Sequence, residues 1–345
     1  MATRSRQTPF WKSYDKAHHR VSRFRAKRPH RSFRVTPRHD ALQPLKLPGY
    51  WAFTLRVNKT ILQYKRLLLS LAVIYALFYA LIIGIGSQET YVMLADSFQE
   101  TGQELLAGSW NQLAQAGLLF VSVASSGLNA EITATQQAVG LVLILFVWLT
   151  VVWMLRRLLN GQQVRLRDAL YSAGAPIIPT AILAGVIVVQ LIPLAVAAIA
   201  YSAADATGLL LGGVETMLFW FAAGALAILS LYWITSTFFA MIITTLPGTY
   251  PFRALSIAGD MLVGRRLKVL LRWLWMAFVI ILFWAVVLIP VILFDGWMKG
   301  VWDQISWVPI VPIAALALSS LTTVWASGYI YLLYRQIVDE DARRD

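Results

Sequence analysis

Six apolar stretches, at 67–86, 138–158, 177–200, 215–243, 269–294 and 308–334, are each long enough to cross a bilayer as a helix. About 20 helical residues cover the roughly 30 Å of hydrocarbon, and the longer stretches must tilt or project beyond it. With 58% hydrophobic residues and a mean hydropathy of +0.63, the chain is too apolar for a soluble domain of its length. The sequence predicts an all-α, polytopic membrane bundle of six transmembrane helices, occupying residues 47–335. Residues 1–46 precede it as a basic arm, and 336–345 follow as a short tail.

Charge orients this bundle. The six stretches leave seven hydrophilic pieces, and the bases fall in alternate ones. Seventeen of the 30 Lys and Arg precede the first stretch, and only Lys299 lies in a piece that the others avoid. Residues 87–137 hold Glu89, Asp96, Glu100, Glu104 and Glu131 without a base, and 201–214 hold Asp205 alone. Bases concentrate on the cytoplasmic side of membrane proteins. The expectation is a multi-pass protein of the plasma (inner) membrane with both termini cytoplasmic and 87–137 outside. More than sixty residues of basic sequence precede the first apolar run, so that run reads as an uncleaved signal anchor.

The arm carries Pro9, Pro29, Pro37 and Pro44 with no sustained apolar period, which predicts disorder. Its densest part holds Arg20, Arg23, Arg25, Lys27, Arg28 and Arg31, interleaved with Phe24 and three histidines. Such a run fits anionic lipid headgroups, at about 1 kcal/mol per base. A cytoplasmic or membrane protein partner is the next option, and nucleic acid is the least favoured. Arg265, Arg266 and Lys268, before the fifth stretch, are further candidates for lipid or partner contact.

An internal repeat is visible. Leu47-Pro48-Gly49 precedes the first stretch and Leu246-Pro247-Gly248 the fifth. Ala169-Leu170-Tyr171-Ser172-Ala173-Gly174 before the third echoes Ala254-Leu255-Ser256-Ile257-Ala258-Gly259 before the fifth. Three units are expected, each a short juxtamembrane helix followed by an out-and-back pair of spans. Over 249–263, Phe252, Leu255, Met261 and Leu262 are expected to share an apolar face, with Arg253 and Asp260 toward water.

Catalytic residues are not evident. All four histidines lie in the arm, there is no cysteine, and no P-loop, HExxH or GxSxG occurs. No catalytic group, metal site or cofactor is implied. Asn58-Lys59-Thr60 matches a glycosylation sequon but would face the cytoplasm. Gln190 is the one strongly polar centre of the third stretch and lies beside Pro193, while Pro290 repeats a late proline in the fifth. These three mark a possible pathway. Ser230, Thr235, Ser236, Thr237, Ser319, Ser320, Thr322 and Thr323, with Gly224 and Gly328, suit close helix contacts and interhelical hydrogen bonds. The leading functional expectation is a non-enzymatic accessory or scaffolding protein. The alternative is a transporter or lipid-handling protein.

The stretch 251–271, Phe-Arg-Ala-Leu-Ser-Ile-Ala-Gly-Asp-Met-Leu-Val-Gly-Arg-Arg running into a span, resembles a loosely defined bacterial family of six-span proteins. It includes the membrane domain found ahead of glycerophosphodiester phosphodiesterases and related stand-alone inner-membrane proteins. Residues 165–174 are similar to that family's earlier copy of the element. The resemblance covers roughly 47–335 and implies a membrane module with an accessory role. It carries over no catalytic residue, because the phosphodiesterase domain is not in this chain.

Overall fold

The computed structural model describes residues 47–82, 133–208, 210, 212–302 and 308–342. The arm and the segment 87–132 lie outside the described residues, and with them the contacts expected of Arg20, Arg23, Arg25, Lys27, Arg28 and Arg31. The elements are α1 (Tyr50–Gln63), α2 (Lys65–Ile82), α3 (Ala134–Leu159), α4 (Leu166–Ala173), α5 (Ile177–Gln190), α6 (Ile192–Ala206), α7 (Val214–Ile243), α8 (Pro251–Met261), α9 (Arg266–Val301) and α10 (Ile310–Ala342). Six of the helical segments, α5 and α6 counted as one, are long and apolar enough to cross a membrane. The chain is an all-α, multi-pass integral membrane protein.

Local chemistry sets the helix ends. Thr133 opens α3 through a capping box with Gln136, its hydroxyl accepting from the Gln136 N–H and the Gln136 side chain accepting from the Thr133 N–H. Arg156 and Arg157 occupy the last turn of α3, where bases favour the helix dipole. Between α8 and α9 the chain turns at Gly264, whose φ of 73° is left-handed and suits glycine.

The third span is two helices. Pro193 stands in the first turn of α6 and cannot donate a backbone hydrogen bond. The spans also outrun the apolar stretches. α9 begins at Arg266 and continues to Val301. α10 continues to Ala342, through residues expected in the tail, and buries Ile337 completely. A helix ends where its backbone bonds end, not where hydropathy falls.

Packing follows a cyclic scheme of three units. Each short helix docks on the returning span of the preceding unit: α4 on α3, α8 on α7, and α1 on α10, which closes the circle. The outgoing spans obey the same rule, with α5 on α3, α9 on α7 and α2 on α10. Returning spans are therefore inner and outgoing spans outer. Buried residues make up 50% of the apolar stretch of α3 and 56% of that of α7, against 11% for α5–α6 and 6% for α9. The inner helices meet through Trp148–Phe238 and Phe239–Tyr334 ring contacts at 5.7 and 5.9 Å. This core sits at the end that carries the bases, here called the basic end.

The short helices dock through matching residues. Phe53 and Val57 on α1, Ala169 and Ala173 on α4, and Ala254 and Ala258 on α8 are all at most 1% exposed. Each pair is spaced i, i+4 and shares one helix face. The expected single apolar face of α8 is thus divided. Ala254, Ala258 and Leu262 meet the bundle, whereas Phe252 stays 72% exposed. Small side chains permit the close helix approach, with Leu255 and Met261 packing partly on the core beside them and Phe252 left outward.

Candidate functional site

Three features of the bundle have chemical potential. The first is a lateral cleft of about 450 Å³ at the seam where the third unit meets the first. One wall is the α1–α2 junction, with Asn58, Ile61, Leu62, Lys65, Leu68 and Leu69. The other wall is Val279, Ile280 and Phe283 of α9, and the floor is Leu321, Thr322, Val324 and Trp325 of α10. Asn58, Ile61 and Leu62 lie at i, i+3 and i+4 on α1 and share one face, and Lys65 joins them in the cleft lining as the first residue of α2.

Two indoles fix the polar atoms of this cleft. Trp325 Nε1 donates to Asn58 Oδ1 at 2.7 Å, and Trp284 Nε1 donates to Thr322 Oγ1 at 2.9 Å. α1 is held against the floor from its other side as well. Phe53 meets the edge of Tyr329 at 4.9 Å, and Ile61 Cδ1 lies 3.4 Å from where a Cβ on Gly328 would be. Arg272 of α9 is 5% exposed, donates to the Pro48 carbonyl and lies over the rings of Tyr50 and Phe53 at 4.8 and 5.3 Å.

The second feature is the break in the third span. The Leu194 N–H donates to Ser230 Oγ at 3.2 Å, and Thr237 Oγ1 donates to Gln190 Oε1 at 2.8 Å. Two hydroxyls of α7 therefore clamp the break from either side. Backbone groups released at a proline within a membrane need such partners. Gln190 and Pro193 share this clamp, while Pro290 stands inside the continuous α9 with an exposed side chain. None of the three lines the cleft.

The third feature is the basic end. Arg265 is 7% exposed, and the Arg266 guanidinium lies 4.8 Å from the Tyr232 ring centre, a cation–π contact. Lys268 is exposed. Of the three candidate bases in this loop, only Lys268 is placed for free contact with a partner. Arg156 of α3 donates to both the carbonyl and the hydroxyl of Thr245, tying the end of α3 to the turn after α7. At the opposite end Lys299 pairs with Asp295 at 2.9 Å, one turn apart on α9.

Asn58 and Lys65 were not read as site residues from the sequence. Their proximity in the chain was visible there, but the facing walls from α9 and α10 come from residues more than two hundred positions away. No family model matches this chain, and neither does any curated protein or solved structure.

Proposed function

We propose that this integral membrane protein has a non-enzymatic accessory or scaffolding role in the plasma (inner) membrane. Its basic end and both termini face the cytoplasm, and the basic arm engages anionic headgroups or a cytoplasmic protein partner. The layer formed by α1, α4 and α8 is the observation that carries this reading. That layer presents Arg56, Lys59, Arg167 and Arg253 beside Trp51, Tyr171 and Phe252, all exposed, with the exposed Lys268 next to it at the start of α9. Bases mixed with aromatics suit the headgroup region. The arm, with 13 Lys and Arg, leads directly into this layer. The resemblance of 251–271 to the membrane domain ahead of glycerophosphodiester phosphodiesterases supports the same accessory reading.

Native mass spectrometry of the gently solubilised chain, with and without residues 1–46, tests the role. The truncated chain is expected to insert normally and to lose a stoichiometric protein partner or its anionic lipid complement. Identical companions for both chains would remove the reading. Orientation is tested with single cysteines and a membrane-impermeant thiol reagent. Thr207→Cys is expected to label from outside intact cells, and Gln163→Cys only after permeabilisation; the reverse would invert the topology.

The lateral cleft favours a second reading, lipid handling. On that reading Lys65→Gln or Phe283→Ala, both in the cleft lining, alters lipid movement in proteoliposomes without lowering expression. Wild-type movement in both variants would exclude a path through those residues.

A further inference from the structure

We infer that the seam cleft is a binding site for a single anionic phospholipid, with its phosphate on Lys65 and the Asn58 amide and one acyl chain along Leu69, Val279 and Phe283. This goes beyond the accessory role proposed above and does not depend on it. The cleft volume of about 450 Å³ lies within the range of about 300–1,000 Å³ typical of single-ligand sites.

The polar atoms select the ligand's charge. Asn58 Oδ1 is occupied by Trp325 and Thr322 Oγ1 accepts from Trp284. Each oxygen keeps one lone pair, but donors outnumber acceptors: the Asn58 amide N–H groups, the Thr322 hydroxyl proton and the Lys65 ammonium. No Asp or Glu lines the cleft. A ligand that offers acceptors and a negative charge fits this set and the Lys65 charge, as a phosphodiester does.

Position agrees with charge. Lys65 is the first residue of α2, at the basic end. Phe283 lies about 12 Å beyond Trp275 along α9 at ~1.5 Å per residue, and Trp275 is tied to Thr54 of α1 at 3.1 Å. Lys65 therefore stands at headgroup level, whereas Thr322, bonded to Trp284, and the apolar walls lie toward the membrane interior. The matching seams are closed by alanine pairs on α4 and α8. Here Phe53 and Val57 take their place, and the cleft opens beside them at this seam.

The full chain, delipidated in mild detergent and offered equimolar phosphatidylglycerol and phosphatidylcholine, is scored by native mass spectrometry for bound lipid. One retained phosphatidylglycerol per chain is expected. Lys65→Gln should lower the phosphatidylglycerol preference about fivefold. Arg66→Gln, exposed on the same helix but outside the cleft, should leave it unchanged. Val279→Trp fills the cleft and should remove the retained lipid whatever its headgroup. Equal retention of both lipids by the wild type would overturn the inference, as would equal losses in Lys65→Gln and Arg66→Gln. If Val279→Trp aggregates, the Lys65 and Arg66 variants still decide.

Discussion

Gln190 and Thr237 form the clearest side-chain bond between spans, at 2.8 Å. Interhelical hydrogen bonds in membranes average about 0.6 kcal/mol and reach about 1.7, and an amide left without its donor adds to the cost. Thr237→Val is therefore expected to destabilise the bundle by about 0.5–2 kcal/mol in a denaturing-detergent titration. Adding Gln190→Leu to it should cost less than the sum of the two single changes; strict additivity would mean the bond couples nothing. Which hydroxyls serve this purpose was only partly legible. Ser230, Thr237 and Thr322 bond across helices, whereas Thr235, Ser236, Ser319, Ser320 and Thr323 return to their own helix carbonyls. In a span apolar all round, sequence gives no period to say which side meets a neighbour. Gly328 does admit Ile61 and Leu155, while a Cβ on Gly224 would meet nothing within 4 Å. Lys299, the exception to the charge pattern, is answered by Asp295 one turn earlier, a spacing that was readable.

The short helices are the elements in which sequence and structure agree best. The echo between 169–174 and 254–259 placed alanines in register, and those alanines are the residues buried against α3 and α7. The shared Leu-Pro-Gly has less structural meaning, because Gly248 is left-handed at φ 79° whereas Gly49 has φ −53°. Orientation of α8 could not be read from hydrophobicity alone. Large apolar residues were expected on its packed face, yet close approach to α7 requires small ones. Ala258→Leu is therefore expected to cost about 1–3 kcal/mol by overpacking. Ser256→Leu, an exposed position on the same helix, should stay within about 0.5 kcal/mol. Equal effects in thermal unfolding would show that α8 docks by bulk apolarity and not through its alanine face.

At the scale of the molecule, the three-unit circle depends on its last seam. The unit boundaries were legible because each begins with bases and a short amphipathic segment. Cyclic closure was not, because it joins α1 to α10 across nearly the whole chain. That seam uses Phe53, 1% exposed and edge-on to Tyr329, where the other two use alanine. Phe53→Ala gives the seam the same small residue but not the same fit, since α1 has been spaced for a ring. The change is expected to cost about 3–5 kcal/mol, as for other buried aromatic truncations. The loosening should be local: disulfide trapping between cysteines at 61 and 328 should fall, while trapping across the α4–α3 seam stays unchanged. If trapping at both seams falls together, the units do not close independently, and the circle behaves as one cooperative core.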